Sequence, residues 1–375
     1  MDSSRIKYNR LIINFFSPST FLFCFLFFLN SKLSIPFFYS VLSEFGGYFH
    51  MATKKIKKIL VTGAVGQIGS ELTMALREKY GNENVLACGR KTKPSDQLLN
   101  SGPFEYIDIT NRSSIEKVVK EYDIDTIYNM AAILSATGEE RPLLCWNVNI
   151  NGLYNIIEIA HEFEMTRVFV PSSIAVFGPE TPRIDTPQET ILKPKTMYGV
   201  TKVAGELLGD YYFNKFKVDI RGIRYPGIIS SETLPGGGTT DYAVEIFYEA
   251  IKNKKYTCFL KKDTVLPMMY MPDCIKATID LMETDISKLK HHSDFNVASM
   301  SFSAEDLSNE IKKHIPEFIC NYKPDFRQEI ADSWPQSIDD YIARKEWGWK
   351  PSYHLSSMTK EMLEILGKRY EEGNL

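Results

Sequence analysis

The run Lys58-Ile59-Leu60-Val61-Thr62-Gly63-Ala64-Val65-Gly66-Gln67-Ile68-Gly69 decides how the rest of the chain is read. Ile59-Leu60-Val61 has the short, continuous apolar character of a parallel strand buried on both faces. Gly63, Gly66 and Gly69 follow at once, and residues 70–77 then carry apolar side chains at helical spacing. Strand, glycine turn and helix in that order make a loop that can receive a phosphate. The first glycine permits the tight turn, and the second lets a pyrophosphate approach the backbone. The third lets the helix pack on the strand with its amino end toward the anion. Three glycines alone fit an ordinary βα turn; the flanking strand and helix favour a dinucleotide-binding one.

Outward from this loop the chain alternates apolar runs with helical patterns. Strands are expected at Val85-Leu86-Ala87 and at residues 104–107, 126–130, 167–170 and 219–223, and helices at 113–122, 143–163 and 198–216. This βαβα order predicts an α/β fold, a Rossmann-type doubly wound parallel sheet with ligands at the carboxyl ends of its strands. After Pro226 the pattern loosens around Pro235-Gly236-Gly237-Gly238. The expected organisation is a dinucleotide-binding domain over 51–225 and a smaller, mainly substrate-binding lobe over 226–375, with some segments returning to the first domain.

Composition sets outer bounds. The chain has 375 residues, 44% apolar and 24% charged, with a net charge of −3, which is ordinary for a globular protein and gives no reason to invoke nucleic acid. Cys24, Cys88, Cys145, Cys258, Cys274 and Cys320 are scattered, without Cys-x-x-Cys, so reduced thiols are expected rather than a disulfide framework or structural zinc. Residues 1–50 differ from the rest: Arg5, Lys7 and Arg10 precede a phenylalanine-rich run over 11–29. They read as a targeting segment, a membrane anchor, or sequence upstream of a true start at Met51.

The strand ends carry the candidate chemistry. An acidic side chain after the second strand usually holds the adenosine ribose of NAD. Here the residues are Cys88-Gly89-Arg90, so Arg90 is a candidate for a 2′-phosphate. Asp108, after the third strand, is either an adenine contact or a solvated turn residue. The fifth strand ends in Pro171-Ser172-Ser173. Tyr198 and Lys202 follow on one face of the next helix. A lysine ammonium beneath a phenol favours the phenolate, and a serine hydroxyl at the neighbouring strand end can hold a substrate oxygen. The same Tyr-x-x-x-Lys spacing recurs at Tyr211/Lys215, Tyr248/Lys252 and Tyr341/Lys345, which read as solvated helix faces. Position singles out Tyr198 and Lys202. Ser173 is favoured over Ser172.

Gly63, Gly66 and Gly69, Asn149, Ser173, and Tyr198 with Lys202 together resemble the extended short-chain dehydrogenase/reductase family. Within it, several segments look like the short-chain L-threonine 3-dehydrogenases: Leu134-Ser135-Ala136, Arg224-Tyr225-Pro226-Gly227, Gly236-Gly237-Gly238-Thr239-Thr240-Asp241-Tyr242, Leu266-Pro267-Met268-Met269-Tyr270, Ser333-Trp334-Pro335 and Trp347-Gly348-Trp349. The resemblance covers about 56–367.

The resemblance implies metal-independent oxidation of L-threonine to 2-amino-3-oxobutyrate with NAD as hydride acceptor, a step in threonine catabolism. It implies Tyr198 as general base, Lys202 as the residue that lowers its pKa and binds the nicotinamide ribose, and Ser173 as orienter of the substrate hydroxyl. Gln67, Ile68, Ala131, Asn149, Tyr225 and Ile228 would join the glycines, Arg90 and Asp108 around the cofactor. Ser135, Thr239 or Thr240, and Trp334 would contact substrate. Two departures stand out. Gly89 replaces a common Asp, which opens NADP use, and Leu266-Pro267-Met268-Met269 lacks the arginine with which many family members hold a sugar diphosphate. Two rival readings remain: a nucleotide-sugar epimerase or dehydratase, and a non-catalytic dinucleotide-binding module. A homodimer through helices 143–163 and 198–216 is expected, in the cytoplasm or the mitochondrial matrix.

Overall fold

The computed structural model describes residues 54–234 and 236–375; the segment 1–50 discussed above lies outside the described residues. In chain order the first strands are β1 (Ile59–Thr62), β2 (Val85–Gly89), β3 (Phe104–Tyr106), β4 (Thr126–Asn129), β5 (Arg167–Phe169), β6 (Ser172–Ser173), β7 (Ile220–Arg221), β8 (Ile223–Tyr225) and β9 (Gly227–Ile229). Six of them form one parallel sheet in the order β3-β2-β1-β4-β5-β7. Helices α1 (Gln67–Tyr80), α2 (Arg112–Glu121), α3 (Leu153–Glu162) and α4 (Met197–Phe216) connect these strands. The strand order reverses beside β1, and that reversal opens a crevice at the carboxyl ends of β1 and β4.

β1 is buried throughout, and its alternate side chains feed two cores. Ile59 and Val61 pack with Leu72 and Leu76 of α1, while Leu60 packs with Ile127, Ile156 and Val168 on the opposite face. Each fully buried Leu or Ile of this kind contributes roughly 1.5–3 kcal/mol.

The expected strand over 219–223 is two strands. β7 stays in the main sheet, and β8 joins a second sheet in the order β12 (Phe295–Asn296), β8, β6. The break falls at Gly222, where a Cβ would lie 2.3 Å from the Ser293 carbonyl oxygen and 2.6 Å from that of Val170. Only glycine lets three backbones meet there. The fifth strand divides in the same way, so Ser173 leaves the parallel sheet and lies in register with Tyr225.

The expected helix over 143–163 is also interrupted. A short helix, Pro142–Trp146, runs into a wide π turn, Asn147–Gly152, before α3 begins. Such a turn rotates the side chains after it, and it frequently accompanies functional sites.

The remaining elements are β10 (Lys255–Cys258), β11 (Val265–Tyr270), β13 (Met300–Ser303) and β14 (Ile319–Tyr322), with helices α5 (Tyr242–Asn253), α6 (Met271–Glu283), α7 (Ala304–Lys312) and α8 (Leu355–Glu371). β9 and β13 flank β11, and β10 pairs with β14. Their core joins Phe247, Leu266, Leu307, Met358 and Trp334 to residues 174–177 from the first half of the chain. Cys274 and Leu281 of α6 and Trp349 pack instead with Val61 and Leu72.

Candidate active site

The glycine loop forms a cradle at the start of α1. Gly63 has φ +63° and a Cβ there would lie 2.7 Å from the Ala131 amide nitrogen; a Cβ on Gly69 would lie 2.2 Å from the Gly63 carbonyl oxygen. The cap residue Gly66 supplies no side-chain acceptor to the first turn, so the amides of α1's amino end are free to meet an anion. Gln67 Nε2 is buried, has no partner, and belongs to a residue of the adjoining cavity wall. These features fit the pyrophosphate of a dinucleotide.

The other expected cofactor contacts divide into two places. Tyr225 and Ile228 line the same cavity as the glycines, and the Tyr225 hydroxyl pairs with Thr278. Ala131 and Asn149 border a smaller hollow beside Lys202. Thr62 links the strand ends by donating to Asn129 Oδ1 at 2.7 Å and accepting from the Ala131 amide at 3.3 Å. Asn149, inside the π turn, is fully engaged. Its Oδ1 accepts from the Ile133 amide at 2.8 Å, while Nδ2 donates to the Ile133 carbonyl at 3.0 Å and to Thr201 at 3.1 Å. It therefore pins the loop after β4 to α4.

Arg90 and Asp108 lie at the sheet edge, outside this cavity, 3.9 Å apart and half exposed. Burial tends to raise the Asp108 carboxyl, but hydrogen bonds from the Thr110 hydroxyl and amide, with Arg90 and Lys91 nearby, hold it below the usual range. No carboxylate stands at Gly89, where Phe104 and Val65 lie 3.1 and 3.2 Å from the position of a Cβ.

Tyr198, Lys202 and Ser173 meet in a cavity of about 570 Å³. Thr196 caps α4 by accepting from the Gly199 amide at 3.0 Å, and this starts the helix just before Tyr198. Lys202 Nζ lies 5.3 Å from the Tyr198 ring centre and donates to the Pro171 carbonyl at 2.7 Å. Burial pushes Tyr198 up to about 12, with the Ser173 hydroxyl pulling the other way. Burial also brings Lys202 down to about 8, opposed by Cys145 and Glu206. Desolvation is the largest cause for both groups.

Behind these residues lies a buried polar network absent from the sequence reading. The Ser172 hydroxyl donates to Glu206, one turn after Lys202. Arg224 grips the same carboxylate with Nε at 2.9 Å and Nη2 at 2.8 Å. Arg224 also donates to the Gln188 carbonyl at 3.0 Å. Strand β6, strand β8 and helix α4 are thus locked together, and each contributes a residue to the cavity. A glutamate four residues after Lys202 was the available signal.

Ser135, Thr239, Thr240 and Trp334 border the same cavity as the glycines. The Ser135 and Thr239 hydroxyl oxygens are 3.3 Å apart, and both side chains are nearly inaccessible to solvent. Trp334 is buried at the cavity wall. Among the described residues lining the cavity, Lys202 is the only cation and Asp241 the only carboxylate. The spare tyrosine–lysine pairs lie elsewhere. Tyr211 and Tyr341 are exposed as expected, whereas Tyr248 is buried near Arg369 of α8 rather than solvated.

Residues 59–298 match the sequence pattern of the NAD dependent epimerase/dehydratase family. The chain belongs to this family. An L-threonine dehydrogenase structure from Clostridium difficile is 52% identical, covers 84% of this chain and 99% of its own, and superposes with a TM-score of 0.82. A structure described as a monomeric L-threonine 3-dehydrogenase from a metagenome is 51% identical over 83% of this chain and 99% of its own, with a TM-score of 0.80. A Staphylococcus haemolyticus protein named only as an uncharacterized epimerase/dehydratase is 51% identical over 84% of this chain and 99% of its own length. The mostly parallel central sheet with flanking helices is the fold shared with these family members. Among the described residues no helix is long and apolar enough to cross a membrane, and the five described cysteines are free.

Proposed function

We propose that this chain is an L-threonine 3-dehydrogenase, converting L-threonine and an oxidised nicotinamide dinucleotide to 2-amino-3-oxobutyrate, the reduced dinucleotide and a proton. The observation that carries this reading is the polarity of the cavity. Among its described lining residues Lys202 is the one cation and donates to the Pro171 carbonyl, and no arginine stands there to clamp a sugar diphosphate. The hydroxyls of Ser135 and Thr239 and the Trp334 wall suit a small zwitterion with one methyl group. Likeness to the L-threonine dehydrogenases of known structure supports the same substrate.

In this reading Gly63, Gly66, Gln67, Ile68 and Gly69 hold the pyrophosphate, and Ala131, Asn149, Tyr225 and Ile228 form the walls around the rest of the cofactor. The bound dinucleotide supplies the hydride acceptor. Tyr198 takes the proton from the substrate hydroxyl, and Ser173 orients that hydroxyl. Lys202, protonated below about pH 8, favours the phenolate and holds the nicotinamide ribose. Trp334 excludes water from the reacting carbon.

The end of β2 supports use of NADP beside NAD. Gly89 leaves no carboxylate to repel a 2′-phosphate, and Arg90, Lys91 and Lys93 supply positive charge within a few residues. We also propose a homodimer through the helical segment 142–162, which runs from the short helix through the π turn into α3, and α4. Leu143 is 80% exposed and Leu207 62%, and Trp146, Tyr154, Val200 and Tyr211 are exposed on the same elements. The metagenomic relative described as monomeric makes sedimentation at micromolar concentration the direct check.

The test of the reaction compares L-threonine, L-serine and UDP-glucose while following absorbance of the reduced nicotinamide. Threonine-dependent reduction is the expected result. No threonine-dependent reduction, together with conversion of UDP-glucose seen by chromatography of the sugar nucleotides, would transfer the assignment to a nucleotide-sugar enzyme, whose reaction leaves no net reduced nicotinamide.

A further inference from the structure

Asp241 stands at the amino end of α5 but does not cap it. Its carboxylate turns back along the chain, where Oδ2 accepts from the Gly237 amide at 2.9 Å and the Gly238 amide at 2.7 Å. The glycines are shaped for this contact. Gly237 has φ +97°, and a Cβ on Gly238 would lie 2.7 Å from Asp241 Oδ1. The next residue is Thr239, only 1% exposed, whose hydroxyl oxygen lies 3.3 Å from that of Ser135 on the short helix Ser135–Glu140. Ser135 and Thr239 are 104 residues apart in sequence, so this contact joins the loop after β4 to the loop before α5 across one cavity mouth.

We propose that Asp241 is a positioning residue for the substrate: its ionised carboxylate folds the Gly236-Gly237-Gly238 turn so that Thr239 meets Ser135 and closes the cavity. This rests on the threonine reading above. It accounts for three glycines and an aspartate standing around two threonines, since an L side chain at Gly238 would displace the carboxylate that sets the turn.

The groups facing Asp241 give the arrangement a pH dependence. Burial raises its carboxyl to about 6. The Gly238 and Gly237 amides oppose that rise, Glu245 of α5 adds to it, and Arg327 from the helix Arg327–Asp332 counters it. Arg327 is itself shared with Asp325, at 2.6 Å. Above pH 6 the amides bond to a charged acceptor. Below it the carboxyl is protonated, its bonds weaken, and the turn loosens. KM for L-threonine therefore rises as pH falls through about 6. Cofactor affinity, set at the glycine cradle of α1, does not follow.

The experiment measures KM and kcat for L-threonine from pH 5 to 8, with NADH affinity from fluorescence titration, for the full chain and for Asp241→Asn. The variant is expected to raise KM about tenfold at pH 7.5, as charged hydrogen bonds give way to neutral ones. It is expected to abolish the acid rise in KM, to keep kcat within about threefold and to leave NADH affinity unchanged. A KM within twofold of wild type, or an acid rise that persists in the variant, overturns the proposal. If Asp241→Asn does not fold, Glu245→Gln decides. Loss of that like charge should move the acid limb of KM to lower pH, and an unmoved limb contradicts the proposal. A wild-type chain that does not oxidise threonine overturns the parent reading itself, and that result precedes any variant.

Discussion

Lys202 Nζ donates a 2.7 Å hydrogen bond to the carbonyl of Pro171, the residue that separates the parallel sheet from the Ser172–Ser173 strand. The ammonium is thereby fixed at the strand switch, 5.3 Å from the centre of the Tyr198 ring. It contributes charge to the cavity and tethers the segment that presents Ser173.

Lys202→Met should therefore act in two separable ways. Loss of the charge beside the phenol should cut kcat by about 10²–10⁴. Loss of the donor to a part-buried carbonyl should cost about 1–3 kcal/mol of stability. Steady-state kinetics and urea unfolding measure the two. In the wild type kcat should climb with pH as the phenol, raised to about 12, gives up its proton, and the climb should stop near pH 8 as Lys202 loses its charge.

Gly69→Ala should abolish dinucleotide binding. The new Cβ would lie 2.2 Å from the Gly63 carbonyl oxygen, so the cradle must open to admit it. Titration of NADH fluorescence should show affinity lowered at least a hundredfold. Unaltered affinity would mean that the anion site is not at the start of α1.

Arg90→Ala tests the basic end of β2. NADP turnover should fall about tenfold, the value of one guanidinium–phosphate contact, with NAD turnover within twofold of wild type. Equal losses with both dinucleotides would assign Arg90 to fold stability through Asp108.

Arg224→Met should lower stability by about 3–5 kcal/mol, because Glu206 is left buried without its partner. Urea denaturation measures it. A change under 1 kcal/mol would show that Ser172 and water suffice to hold that carboxylate.

The dinucleotide loop, the parallel sheet and the Tyr198–Lys202 face were legible because local pattern determines each one. Ile59-Leu60-Val61 and the glycines specify a turn, and a four-residue spacing on a helix specifies a shared face. The division of the strand over 219–223 was not legible. Residues 219–223 read as one run, and the break is imposed by Ser293 and Val170, which crowd Gly222 from distant parts of the chain. The burial that raises the Tyr198 pKa was hidden for the same reason, since it is set by segments distant in sequence. Tyr248 looked like a solvated face until α8 covered it. Asp241 stood in plain view within the glycine–threonine block, but its part depends on backbone direction at Gly237 and Gly238, which spacing does not reveal.

The most direct test of the central claim follows reduced-nicotinamide absorbance for the full chain and Tyr198→Phe side by side, with L-threonine and either dinucleotide. Threonine-dependent reduction should fall by about 10²–10⁴ in the variant, with NADH affinity and thermal unfolding retained. Undiminished turnover in Tyr198→Phe, or no threonine-dependent reduction by the wild type with either dinucleotide, would contradict the account.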